Sequence, residues 1–166
     1  MMRALSRAAQ AIITALALAA TSLPALAAEP SRVVTHSAPG KFTDVVDDLK
    51  LAVESRGLVI DHVSFVGRML ERTGKDVGST RPLYQVAQAL SFCSATLSRR
   101  TMEADAANLV WCPYTLVVYA TAQDPTRVHV AFQRPWRPDG SAASRAALQE
   151  VEALLDGIAR TALGLK

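Results

Sequence analysis

Cys93 and Cys112 are the only cysteines in the chain, and they bracket the segment SFCSATLSRRTMEADAANLVWCPYTLVVY, each at the edge of an apolar run. Such a pair supports a disulfide, a reactive thiolate, or a metal or cofactor ligand set, or it lies unpaired in a core. Eighteen residues separate the two, and a bridge closing that loop contributes on the order of 3 kcal/mol by the chain-entropy argument. Strand direction decides whether it can form. Parallel flanking strands put the cysteines at opposite ends, several residues apart at about 3.3 Å each, beyond the roughly 7 Å that a disulfide tolerates between Cα atoms. Adjacent antiparallel strands make the bridge reasonable.

Cys93-Ser94 falls where a strand gives way to a helix. The unpaired N–H groups and dipole of a helix N-terminus stabilise a thiolate, so Cys93 is the candidate nucleophile, redox thiol or ligand. Arg99-Arg100, one turn further on, offers a positive charge for an anion, and Trp111, Tyr114 and Tyr119 offer apolar walls. The candidate binding surface is therefore Cys93, Ser94, Arg99, Cys112 and Tyr114, with Cys93–Cys112 also the candidate disulfide.

Other chemistries find less support. The absence of Cys-x-x-Cys argues against a thioredoxin-type centre, and the absence of Cys-x-x-Cys-His argues against covalent haem. His36, His62 and His129 lie in three separate strand-like runs without ligand spacing, so no metal site is assigned. Ser94 and Ser98 sit near Cys93 but in no Gly-x-Ser-x-Gly elbow. Asp47-Asp48 and the Glu150/Glu152 pair read as solvated helix faces. No cofactor can be named.

The elements that must position these residues follow from periodicity. Arg32–Ser37 reads as an edge strand broken by Pro39-Gly40. Val45, Val46, Leu49, Ala52 and Val53 recur at helical spacing, with Thr43 as the expected N-cap and Gly57 as the stop. Leu58–Val63 is a strand, Ser64 the expected cap of a short helix over Phe65–Arg72, and Thr73–Arg81 a loop. Tyr84–Cys93 alternates with period two, although Gln88 interrupts its apolar face. A helix follows over Ser94–Glu103, with Leu97, Thr101 and Met102 inward. Leu116–Ala120 and Arg127–Phe132 form a hairpin. Ser141 opens a C-terminal helix, about 141–163, with the stripe Leu148, Val151, Leu155, Ile158 and Ala162. The order β-α-β-α-β-α-β-β-α implies a single compact α+β domain with a mixed sheet.

Residues 1–28 read as a signal peptide: Arg3 and Arg7, the apolar run Ala8–Ala20, then Ala25-Leu26-Ala27 as the cleavage site. The run falls short of the roughly 20 apolar residues that span a bilayer. Residues 29–166 are then the exported domain, about 139 residues after cleavage, enough for a real core. Losing Arg3 and Arg7 from 18 basic residues leaves 16 against 15 acidic ones. A near-neutral domain without a basic stripe argues against nucleic-acid binding, and without a polybasic tail against membrane attachment. Export in this style points to the periplasm.

The chain resembles the DUF302 family of small prokaryotic domains. The resemblance runs from Phe42 to about Phe132, through TDVVDDLKLAVESRGL, DHVSFVGRMLERTG, SFCSATLSRRTMEAD and LVWCPYTLVVY. It rests on a Cys between strand and helix (Cys93), the helix end Met102-Glu103-Ala104-Asp105, and the strand from Pro113 to Tyr119. In one respect the chain departs: many members place a second Cys after the proline, whereas Cys112 precedes Pro113 here. The resemblance implies a compact α+β domain of a kind that is often exported and sometimes self-associates. The family name itself records an unknown function.

The expected function is a non-enzymatic exported domain that binds a small molecule or a protein partner around Cys93 and Tyr114. Two alternatives stand beside it: a thiol-dependent redox or sulfur-transfer protein using Cys93, and a structural homo-oligomer.

Overall fold

A computed structural model describes residues 31–166; the signal segment expected at 1–28 lies outside the described residues. The elements are β1 (Val33–Pro39), α1 (Phe42–Glu54), β2 (Val59–Ser64), α2 (Val66–Thr73), β3 (Tyr84–Cys93) and α3 (Ala95–Ala104). A 3-10 helix (Ala106–Trp111), β4 (Tyr114–Thr121), β5 (Arg127–Gln133) and α4 (Ala142–Ala162) complete the order. The fold is α+β, with one five-stranded sheet in the spatial order β1-β5-β4-β3-β2.

Every neighbouring pair in that sheet is antiparallel, which corrects the expectation of a mixed sheet. The reason lies in the connections. A helix between two strands signals a parallel pair only when it carries the chain back along the sheet. The segments holding α2 and α3 instead end beside the point where they began, so the next strand returns antiparallel to its neighbour. Only the connection through α1 crosses the sheet, from β1 at one edge to β2 at the other.

Two helices cover one face. Val45, Val46, Leu49, Ala52 and Val53 of α1 are all buried, and so is the stripe Leu148, Val151, Leu155, Ile158 and Ala162 of α4. They meet Leu90 and Phe92 of β3, Leu116 and Val118 of β4, and Val128, Val130 and Phe132 of β5. Alternation along these strands puts the apolar set on the helix side and leaves Ser91, Thr115, Val117, Tyr119 and His129 half or fully exposed on the other. Tyr119 stacks on His129 there, ring centroids 4.8 Å apart.

Helix starts differ from the expected caps. Lys41 and Phe65 are the N-caps of α1 and α2, and neither helix has a side-chain cap. Thr43 lies inside the first turn, where its hydroxyl donates to Asp44 at 3.1 Å, and Ser64 stays in the last pair of β2 with β3. Ser94 and Ser141 do cap α3 and α4. Gly57, at φ +71, supplies the left-handed turn after α1.

The 3-10 helix, not expected from periodicity, is held by polar contacts. Asn108 is buried, and its amide donates to the Thr101 carbonyl and to Ser144 Oγ, both at 2.9 Å. Asp105 caps the turn by accepting from the Ala107 N–H at 2.9 Å, and its other oxygen accepts from Arg137 at 2.8 Å. This is the role of the acidic residue that closes the Met102–Asp105 motif. At an edge of the sheet, His36 on β1 meets Asp156 on α4 at 2.7 Å.

The buried Asn108 network should carry more stability than the surface pairs. Asn108→Ala is expected to cost about 2 kcal/mol, because Ser144 loses a buried partner and a cavity opens. Arg99→Ala, which removes an exposed pair with Glu103, should stay within about 0.5 kcal/mol. Urea unfolding of both variants checks the contrast, and equal losses would contradict it.

Candidate thiol site

Cys93 is the last residue of β3, and Cys112 is the first of the two residues between the 3-10 helix and β4. The β3–β4 register pairs Phe92 with Tyr114, so the two cysteines arrive side by side at one end of the sheet. Their sulfurs lie 2.7 Å apart and unbonded. That is closer than a thiol hydrogen bond brings two sulfurs and longer than the about 2.05 Å of a disulfide, so the pair is placed for a bond that is not formed here. Both residues are half buried.

Around the pair, Ser98 Oγ on the first turn of α3 sits 3.7 Å from Cys112 Sγ and 3.2 Å from the Tyr114 hydroxyl. Tyr114 is itself buried, with its ring edge-on to Phe92 at 6.0 Å. Val59 pairs with Cys93 across β2–β3, so the charged carboxylate of Asp61 on the same edge strand lies near enough to act on the thiol.

The electrostatics differ from those expected at a helix N-terminus. Burial, the adjacent Cys112 sulfur, the charge of Cys112 and that of Asp61 push the Cys93 thiol up to about 12; the Tyr114 backbone opposes them. Cys93 therefore keeps its proton at neutral pH. The N-terminus of α3 does not set this thiol, because Ser94 stands between them and spends its own side chain on the Leu97 N–H at 3.4 Å. Tyr114 is likewise raised, first by burial, with the Ser98 hydrogen bond working against it.

The structure thus gathers Cys93, Cys112 and Tyr114, with Ser94 buried beside them as a cap. It does not gather Arg99, whose guanidinium points to solvent and pairs with Glu103 at 2.8 Å. Arg100 is engaged by Glu150 of α4. His36, His62 and His129 remain apart, and among the described residues no group of three or more His, Cys, Asp or Glu could hold a metal. Two further neighbours are Ser98, which sequence reasoning placed near Cys93 but weighed only as a hydrolytic serine, and Asp61, which it did not single out. Ser98 lies one helical turn after Ser94, a signal that spacing offered; Asp61 is brought in only by strand pairing.

Three large apolar residues flank the pair in the open: Val59 opposite Cys93, and Leu109 and Val110 on the 3-10 helix just before Cys112. No helix among the described residues is long and apolar enough to cross a membrane.

No curated protein matches the chain. Among solved structures, the crystal structure of an uncharacterized conserved protein DUF302 from Bacillus stearothermophilus is similar at a TM-score of 0.64 and 15% identity. That likeness covers 79% of this chain and 98% of the other. The family model described as "Domain of unknown function DUF302" matches residues 34–162. The match is longer than the resemblance over 42–132, since it takes in β1, which pairs with β5, and α4, which packs on α1. The chain belongs to the DUF302 family.

Proposed function

We propose that the mature domain is an exported, periplasmic dithiol protein that binds a polypeptide partner and exchanges a disulfide with it through Cys93 and Cys112. The observation that carries this reading is the 2.7 Å approach of the two sulfurs at a half-exposed end of the sheet. The N-terminal Arg3-to-Ala27 pattern supports export, into a compartment where disulfides form and persist. The exposed Val59, Leu109 and Val110 around the pair support a macromolecular partner rather than a free thiol compound.

Cys112 is the attacking sulfur. The Ser98 hydroxyl beside it can donate to the sulfur as charge develops there. Cys112 attacks one sulfur of a partner disulfide and breaks that bond, and its proton passes to the departing sulfur. Cys93 then attacks the Cys112 sulfur of the mixed disulfide and forms the Cys93–Cys112 bond. The second partner sulfur leaves with the Cys93 proton. Two electrons have moved to the partner, and the reverse sequence oxidises a partner dithiol. This reading replaces Cys93 by Cys112 as first nucleophile and keeps Cys93 as the resolving thiol.

Intact mass after denaturing alkylation, with and without prior reduction, gives the first check on exported protein. The expected result is a pair that reaches both states, two labels on the dithiol form and none after treatment with oxidised glutathione; two labels that persist after that treatment would remove the exchange reading. Equilibration with glutathione then separates exchange from a staple. A midpoint between about −120 and −270 mV is expected for an exchanging pair, and one below about −300 mV would make the bond purely structural.

A pH prediction follows from Cys93. Its thiol is raised from an ordinary 9.0 to about 12 in the folded chain, so between those values the unfolded chain releases a proton that the folded one keeps. Stability of the dithiol form is therefore unaffected below 9.0 and falls as pH climbs toward about 12. The bridged form has no thiol to titrate. Thermal unfolding across this window should show the dithiol form losing Tm faster than the bridged form, and parallel losses would contradict the assignment.

A further inference from the structure

Gln88 stands alone as a polar residue on the apolar face of β3, and neither the core nor the thiol pair uses it. Its surroundings arise from a mismatch in strand length. β2 pairs only with Ala89–Cys93 and ends at Ser64, so Tyr84–Gln88 have no β2 partner. The α2 segment and its loop take that place. α2 comes close because Gly67 lacks a side chain: a Cβ there would sit 2.9 Å from the Ala87 nitrogen. The loop folds back at Gly74, where a Cβ would clash with the Ser79 carbonyl oxygen. Gly67 thus seats the arch against β3, and Gly74 lets its loop close on itself.

Beneath the arch is a cavity of about 700 Å³, within the roughly 300–1,000 Å³ of small-molecule sites. Phe65, Leu70, Leu83 and Val86 supply its apolar wall. Its charged residues are Arg68, Lys75 and Arg81 against the single carboxylate of Glu71. None of the three cations makes an ion pair among the described residues, and Arg68 rests over the Phe65 ring at 4.8 Å. A second cavity of about 300 Å³ shares Phe65 and Gln88 and runs toward Phe42 and Val46 of α1. Phe65 and Gln88 line both volumes, and the larger one combines apolar side chains with three cations and one carboxylate.

We infer that this cavity is a binding site for a small amphipathic carboxylate, an acyl or arylalkyl acid. The hydrocarbon part lies along Phe65, Leu70 and Val86. The carboxylate meets the forked guanidinium of Arg68 or Arg81, which present paired donors to its two oxygens. The excess of cations over carboxylates selects an anion, and the apolar wall selects one with a tail over an inorganic ion. The site is at the opposite end of β3 from Cys93, so it neither requires nor tests the dithiol reading.

The test is calorimetric titration of the mature domain with octanoate, acetate, octanol and octylammonium, with amide NMR to locate the contact. Octanoate should bind, shifting the Gly67, Gly74 and Gln88 resonances, and each of the other three should bind about tenfold more weakly or worse. The double variant Arg68→Gln/Arg81→Gln, with an unchanged amide spectrum outside the arch, should lose octanoate affinity by a similar factor. Octylammonium or octanol binding as well as octanoate would overturn the inference. So would octanoate shifts confined to residues outside the arch, or the absence of octanoate binding at millimolar concentration.

Discussion

The antiparallel pairing of β3 with β4 is the constraint on which the rest of this domain depends. It sets Phe92 against Tyr114 and Leu90 against Leu116, the centre of the buried face that α1 and α4 cover. The same register delivers Cys93 and Cys112 to one end of the sheet, although α3 and the 3-10 helix intervene in the chain. Side-chain period in a strand is two, so a one-residue slip would turn the apolar set of β3 outward and also separate the sulfurs. Core packing therefore enforces the thiol geometry, and the pair needs no bond of its own to be assembled.

Polar contacts finish what the core begins. The excursion from Cys93 to Cys112 must return to its starting point, and its turning point is pinned from three sides. Asn108 ties it to α3 and α4, Asp105 caps it and holds Arg137, and Ser98 reaches both Cys112 and Tyr114. These interactions are buried or half buried, where an unpaired group costs far more than a surface ion pair contributes. The segment is consequently fixed at the place where the sulfurs meet, while its apolar side chains Leu109 and Val110 stay outside.

The opposite half of β3 shows what happens where a strand partner stops early. Beyond Ser64 the sheet gives way to an arch seated by Gly67 and closed at Gly74, and the space under it is lined by residues that sequence periodicity sorted into a helix and a loop. Gln88 was visible as an interruption of the apolar pattern. That interruption marks the point where the core-facing side of the strand leaves the core and enters a cavity.

Periodicity by itself determined the elements and their inner faces. The five buried residues of α1 and the stripe of α4 follow directly from helical spacing, because a helix packed on a sheet must bury one side whatever its neighbours are. Composition singled out Cys93 and Cys112 as the only cysteines, with Tyr114 and Arg99 beside them in the sequence, and it posed the question of the sulfur distance as one of strand direction. Direction and neighbour order are not local properties. They were decided by which edges the helices could cover and by how far each connection carried the chain, and only the folded sheet shows that every pair is antiparallel. Cap positions, the 3-10 turn and the rise of the Cys93 thiol belong to the same class. Each depends on groups distant in sequence, such as Ser144, Arg137 and Asp61, whose energies exist only once tertiary packing has brought them together and excluded water.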